Sequence, residues 1–379
     1  MPEYFVGLIS GTSMDGIDAV VADFQTSPPR MLARHTAPFD AALRTELDAI
    51  RRNPNRFPAR RLARLDAGLG DAFAAAALEV IEMAGLALDE ICAIGSHGQT
   101  VLHDPDHNPP TTLQIGDPHR IAARTGVLTV ADFRRADLAA GGQGAPLAPL
   151  LHQALLASAD ENRAVVNLGG IANVTILPAV GGVSGFDTGP ANCLLDYWYR
   201  THHPGPFDGG GAWAASGQAD RHWLATLLAD EYFARPAPKS TGIEYFSPGW
   251  LNERLPAWAH ERPADVQATL LEMAVGSIVA AVNALPVDQR PARLIACGGG
   301  VHNRTLMRCL ADRLHSARLS SSADHGLDPD HLEAALFAWL ARERLASRPV
   351  HTGPITGARR AIQAGVLFGP AAHGIGAFE

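Results

Sequence analysis

Lysine is almost missing from this chain. Of its 31 basic residues only Lys239 is a lysine, an arginine bias that reads as coding preference alongside abundant Ala, Gly and Pro. Pro238 precedes that lysine, so no Gly-Lys pair exists and a Walker A loop is excluded. No G-x-G-x-x-G opens a helix after a strand. The stretch GTSMDG (11–16) lacks the spacing of a nucleophile elbow, which makes Ser13 a poor hydrolase nucleophile. Cysteine is scarce. Cys92, Cys193, Cys297 and Cys309 show no short zinc-ligand spacing, and MPEYFVGLIS is not an export signal, so buried thiols are expected rather than disulfides. Basic charge is also short, 31 against 39 acidic residues for a net −8, which argues against a duplex nucleic-acid binder. No uncharged apolar run reaches the roughly 20 residues of a membrane span. The most apolar helical stretch, 266–285, carries Gln267, Glu272 and Asn283. A cytoplasmic protein is expected.

What is present is a large core: 47% of 379 residues are hydrophobic, enough for two or three domains. Segments 4–10 and 17–24 read as strands around a polar turn. Residues 57–84 read as a helix with periodic apolar positions. Residues 91–103 read as a strand running into a polar loop. A helix follows with Asp117 as its cap and Pro118 in its first turn. Residues 127–133 read as a strand and 134–149 as a glycine-rich loop. AVVNLGGIANVTIL (164–177) repeats the opening pattern of strand, small-residue turn and strand. GFDTGPAN (185–192) leads into an apolar helix. Residues 293–310 read as strand, glycine turn and helix, and 331–346 as a helix. Mixed strands and helices make the class α/β. The polar stretch near 150–162 divides the chain into domains 1–155 and 156–379.

The glycine turns are candidate anion sites, because small residues expose backbone N–H groups to a ligand. Thr12 and Ser13 add hydroxyl donors. Asp15 and Asp18 are of the type that orients a hydrated Mg²⁺. The plainer reading is a pair of ordinary hairpins with Asx-turns. Asp187 is the best catalytic candidate: a carboxylate after a short strand, placed to take a proton from a hydroxyl or water. Its alternative is a helix cap. His97, Gln99, His103, Asp132, Arg134, Asp137 and Gln143 suit a polyhydroxylated, amide-bearing or acidic ligand, and Arg134 suits a carboxylate. The prolines around His107 argue against a metal-binding His103/His107 pair.

Nine motifs in order then carry a resemblance: GLISGTSMDGID, GSHGQTVLHDP, TLQIGD, DFRRADLAAGGQGAPL, NLGGIAN, GFDTGPAN, PKSTG, CGGGVHNRTLM and EAALFAWLA. From residue 5 to 368 the chain resembles the anhydro-N-acetylmuramic acid kinases. The resemblance implies a two-domain actin-like ATPase (ribonuclease H-like) fold with a central nucleotide cleft. It implies ATP bound by a first phosphate hairpin of Gly11, Thr12, Ser13, Met14, Asp15, Gly16, Ile17 and Asp18. The second hairpin is then Gly169 and Gly170, and the adenosine side is Gly298, Gly299 and Gly300. His97, Gln99, Asp132, Arg134 and Gln143 become the sugar-binding set, with Arg134 toward the lactyl carboxylate. EAALFAWLA resembles the helix that hinges the two halves. The implied reaction opens the bridge of 1,6-anhydro-N-acetylmuramic acid with water and phosphorylates O6 from ATP with Mg²⁺, in cell-wall recycling. Asp187 is the implied base, and a homodimer the implied assembly. Two positions depart from the pattern: Ala191 stands where Gly is usual, and Ile243 where Arg is common. The alternatives are another sugar or acid kinase of this fold, or an ATP-gated binding protein. The HGQT and GGQGAP motifs argue against the first, and Asp187 and the lack of a peptide-binding extension against the second.

Overall fold

A computed structural model describes residues 3–370 apart from 12, 13, 15, 27, 54 and 55. Its strands are β1 (Tyr4–Ser10), β2 (Gly16–Asp23), β3 (Arg30–Pro38), β4 (Ile91–Asp104), β5 (Thr111–Ile115), β6 (Thr129–Ala131), β7 (Arg163–Leu168), β8 (Ile171–Leu177), β9 (Ser184–Pro190), β10 (Arg293–Cys297), β11 (Arg318–Ser321) and β12 (Val366–Phe368). Two compact units divide them: Met1–Leu151 with His331–Glu379, and His152–Asp330.

The first unit holds the sheet β12-β6-β4-β1-β2-β3, with β5 paired to β4. β1 runs parallel to β4, and β4 parallel to β6, while β1–β2 and β2–β3 are antiparallel. β1 is buried almost throughout, as a central strand covered on both faces must be, whereas β3 shows the alternating exposure of an edge. The helix Ala59–Met83 lays Leu65, Leu69, Phe73 and Val80 into this core at helical spacing. The second unit holds the sheet β11-β10-β7-β8-β9. β7–β8 and β8–β9 are antiparallel; β7–β10 and β10–β11 are parallel. β9-β8-β7-β10-β11 therefore repeats the order and directions of β3-β2-β1-β4-β6. That repeat is the actin-like topology. The helix Pro263–Asn283 is long and apolar enough to cross a membrane, but 67% of its most apolar 18-residue window is buried in this unit's core.

One domain expectation is corrected. The chain after His331 belongs with the first unit, not with a domain running from 156 to 379. The helix Leu332–Leu345 lies directly on β1 and β4, where two glycines clear its path. A Cβ at Gly7 would stand 1.9 Å from the Ala334 carbonyl oxygen, and one at Gly95 2.0 Å from that of Phe337. Only glycine admits so close a backbone approach. Two local readings also change. The polar stretch after residue 99 continues β4 and pairs with β5. The loop 134–149 contains the short helix Arg135–Ala139 and runs into a helix beginning at Ala148.

Candidate active site

β1 and β2 meet at the first glycine turn. Thr12, Ser13 and Asp15 lie outside the described residues. Met14 stands at φ +57°, uncommon for a residue with a side chain, and its N–H donates to the Gly11 carbonyl at 3.1 Å. Arg44 donates to the Met14 carbonyl at 3.0 Å. The Met14 and Ile17 side chains sink into the first unit's core and so anchor the turn. Gly16 is demanded by β3, since a Cβ there would come 2.7 Å from the Ala37 carbonyl.

Gln99 is fully buried. Its amide carbonyl accepts from the Ser10 hydroxyl at 2.6 Å, and its NH₂ donates to the Gly11 and Thr100 carbonyls at 3.2 and 3.1 Å. The expected sugar contact is thus a strut under the first glycine turn. Asp18 accepts from Thr36 at 2.7 Å across the β2–β3 pair, and Thr36 also meets His331 at 3.2 Å.

Arg134 donates from Nε to His97 Nε2 at 2.9 Å and from Nη1 to the Gly144 carbonyl at 2.7 Å. His97 Nε2 therefore carries a lone pair, and its Nδ1 proton donates to the Gly98 carbonyl at 3.0 Å. Burial and the neighbouring guanidinium hold the ring neutral, well below the usual histidine range. Phe337 supports the ring at 4.6 Å between centroids. Burial pushes Arg134 down to about 10 against the pull of Glu333 and Asp137, so it stays a cation at neutral pH. Asp137, wholly buried, accepts from the Gly144 N–H at 2.6 Å and the Thr356 hydroxyl at 2.8 Å, fixing the glycine-rich loop. Gln143 is tied by its N–H to the Thr356 carbonyl at 3.0 Å, while the residue itself is exposed. Asp132, at φ +62°, accepts from Arg135 at 2.8 Å.

In the second unit the turn is Gly169–Gly170, joining β7 to β8. Here backbone N–H groups and one side-chain amide do the holding. The N–H groups of Ala191 and Asn192 donate to the Gly170 and Gly169 carbonyls at 2.9 and 3.0 Å, and the Asn192 side chain donates to the Leu168 and Gly169 carbonyls at 2.8 and 3.0 Å. The CGGG motif braces the same turn. A Cβ at Gly300 would stand 2.6 Å from Leu168 Cβ; Gly298, at φ +81°, would bring one 2.3 Å from Asn167 Oδ1. Gly299 alone faces open space.

Asp187 lies within β9, opposite Asn173 of β8, rather than beyond a strand. It caps no helix: Asn192–His202 starts from Ala191, which makes no side-chain cap. Ala191 has φ −113° and ψ −96°, a negative φ outside the left-handed region that favours glycine. A loop grips the carboxylate. Asp187 Oδ2 accepts from the Ser240 hydroxyl at 3.0 Å and the Thr241 N–H at 2.9 Å, and the Asp187 N–H donates to the Lys239 carbonyl at 3.0 Å. The Tyr232 hydroxyl donates to the Asp187 carbonyl at 2.8 Å. Lys239 donates to the Tyr232 and Phe233 carbonyls at 3.1 and 3.3 Å and lies over the Tyr232 ring at 4.7 Å. The single lysine is thus a clasp. Burial pushes the Asp187 carboxyl above its ordinary range, opposed by the Thr241 and Ser240 bonds. Ile243, the second departure, is exposed near Gly170: a Cβ there would meet it at 3.6 Å. All four cysteines are thiols, and burial pushes Cys193 up to about 12.

Within the first unit the structure gathers Gly11, Met14 and Gln99 at one turn and His97 with Arg134 at one hydrogen bond. Within the second it gathers Gly169, Gly170, Gly298 and Gly300, and grips Asp187 separately. Thr36 and Tyr232 escaped the sequence reading. Ser10 stands in GLISGTSMDGID and Ser240 and Thr241 in PKSTG, motifs that by themselves assign these residues no role.

Two units with one strand order, each opening on a hairpin with a glycine turn, define an actin-like ATPase fold. The profile of the family described as anhydro-N-acetylmuramic acid kinase matches residues 3–370. A protein of that name from Xanthomonas campestris is 50% identical over 96% of this chain and 97% of its own. Those from Xylella fastidiosa and Shewanella amazonensis are 49% and 45% identical, over 94% and 97% of this chain and 93% and 99% of theirs. The chain belongs to the anhydro-N-acetylmuramic acid kinase family. A solved dehydratase activator from Clostridium difficile overlays at a TM-score of 0.45 with 13% identity, over 92% of this chain and 99% of that one. The fold class rests on the strand order, not on that overlay.

Proposed function

We propose that the protein opens the 1,6-anhydro bridge of anhydro-N-acetylmuramic acid with water and phosphorylates O6 from ATP, releasing N-acetylmuramic acid 6-phosphate and ADP in peptidoglycan recycling. The observation that carries this reading is the gripped Asp187. Both side-chain hydrogen bonds fall on Oδ2, leaving Oδ1 to accept a proton. Oδ1 takes one proton from water. The water oxygen bonds to C1 as the C1–O6 bond breaks. O6 leaves with the electron pair and attacks the γ-phosphorus in line, and ADP departs. Bridge cleavage itself makes the nucleophile, so no second base is required.

Arg134 takes the lactyl carboxylate, aimed by His97 and Gly144. Asp132 and Gln143 face sugar polar groups. In the first unit the Gly11–Asp18 turn, supported by Gln99 and Met14, is the candidate for ATP phosphate, and in the second the nucleotide candidates are Gly169, Gly170 and Gly298–Gly300. Mg²⁺ fits this donor set: Asp18 offers one carboxylate oriented by Thr36, and no cluster of three or more metal-ligating side chains forms among the described residues. Such an ion keeps most of its water and travels with phosphate. Asp15, the other expected ligand, lies outside the described residues. When bound, the ion neutralises charge on the transferred phosphoryl group. A cytoplasmic homodimer belongs to the same reading, on the strength of family resemblance, and sedimentation tests the dimer.

The test is product identity. Purified protein with Mg-ATP and the anhydro sugar yields a monophosphate of the hydrated sugar, with one ADP per product. N-acetylglucosamine and glucose are not turned over. ATP consumption with either of those and not with the anhydro sugar overturns the reading.

A further inference from the structure

The loop 239–241 runs beside β9, the edge strand of the second sheet. It delivers two donors to a single oxygen of Asp187, through the Ser240 side chain and the Thr241 backbone. It is itself pinned by Lys239 and, through Asp187, by the Tyr232 hydroxyl. A loop held so firmly is built to fix what it carries. One atom in it is unaccounted for: the Thr241 hydroxyl is buried and has no hydrogen-bond partner. A buried hydroxyl left unpaired destabilises a fold, and one that persists calls for a reason. Here it sits on the very residue whose N–H holds the candidate base.

We propose that Thr241 is a further substrate-contacting residue of the reaction, its hydroxyl pairing with the attacking water, and that Ser240 is a positioning residue acting through Asp187 Oδ2. This rests on Asp187 being the base. The water has two O–H groups and one attacking lone pair. One O–H gives its proton to Asp187 Oδ1. The other donates to Thr241 Oγ1 and is kept in the product as the C1 hydroxyl. Two acceptors fix the water's orientation, which aims the remaining lone pair at the anomeric carbon. Thr241 neither gains nor loses a proton.

The tests are Thr241→Val, Thr241→Ser and Ser240→Ala, measured beside Asp187→Asn. Valine keeps the shape and deletes the hydroxyl. It lowers kcat by about tenfold to a hundredfold, with ATP affinity retained and Tm equal or higher. Serine restores most of kcat. Ser240→Ala removes a bond that favours the ionised carboxylate, so the acid limb of kcat/KM moves to higher pH. If Thr241→Val fails to fold, the comparison passes to Thr241→Ala against Thr241→Ser, and serine alone stays active. Wild-type kcat in Thr241→Val, or a loss that serine does not restore, overturns the assignment of Thr241. An unmoved acid limb in Ser240→Ala overturns the role of Ser240. Either result with an inactive Asp187→Asn leaves the base in place, whereas an active Asp187→Asn removes the base itself.

Discussion

The two glycine turns occupy equivalent places in equivalent sheets, yet they are held differently. The first is a longer, polar turn stayed by side chains: Gln99 and Ser10 from below, Arg44 on the Met14 carbonyl, Met14 itself in the core. The second is short and stayed chiefly by backbone, with the first N–H groups of the following helix spent on its carbonyls, two glycines pressed against Leu168 and Asn167, and a single side chain, Asn192, adding its amide. Topology repeats while the means of support diverges. Among the described residues, it is side-chain struts that hold the first turn. Backbone bracing makes the second a rigid base, one hairpin away from Asp187.

The largest effect expected is on the second side. Asp187→Asn lowers kcat by about a thousandfold with the fold intact, as steady-state kinetics and circular dichroism check. Next comes bracing. Gly300→Ala forces a methyl group into Leu168 and destabilises by about 1–3 kcal/mol, whereas Gly299→Ala, facing open space, stays within about 0.5 kcal/mol. Thermal melts of the pair separate a brace from a ligand contact, and equal losses break the contrast. In the first turn, Gln99→Leu strands the Ser10 hydroxyl and releases Gly11, raising the KM for ATP by about tenfold. An unchanged KM removes the strut.

The last effect concerns acid, since among the described residues each unit carries one buried neutral histidine. Burial lowers His152 to about 4, and it meets Thr175 at 2.9 Å; His97 shifts the same way. The folded state resists protonation and the unfolded state accepts it near the ordinary 6.5. This stability is therefore complete above pH 6.5 and declines as pH falls toward 4, by about 3 kcal/mol for His152. Melts from pH 7 to 4.5 flatten in His152→Gln if this holds.

Much of this was legible in the sequence. The repeated strand–turn–strand pattern, the helices at 59–83 and 332–345, and the candidate residues Asp187 and Arg134 all showed locally. The rest depends on distance along the chain. Nothing near Gly7 or Gly95 announces that a helix some 240 residues or more later will lie on them, so the domain division went astray after 331. Gln99 looks like a ligand group until Ser10 and Gly11 close on it, 89 and 88 residues away. The grip on Asp187 comes from residues 53 and 54 positions later. Asp187 itself reads as a helix cap because β9 ends only at Pro190, just before the helix.

The most direct measurement is isotope placement. Turnover of the anhydro sugar with Mg-ATP in ¹⁸O-water, followed by mass spectrometry, places one ¹⁸O on C1 and none in the phosphate, and Asp187→Asn abolishes the labelled product. Phosphorylated sugar without ¹⁸O at C1, or labelling undiminished in Asp187→Asn, contradicts the account.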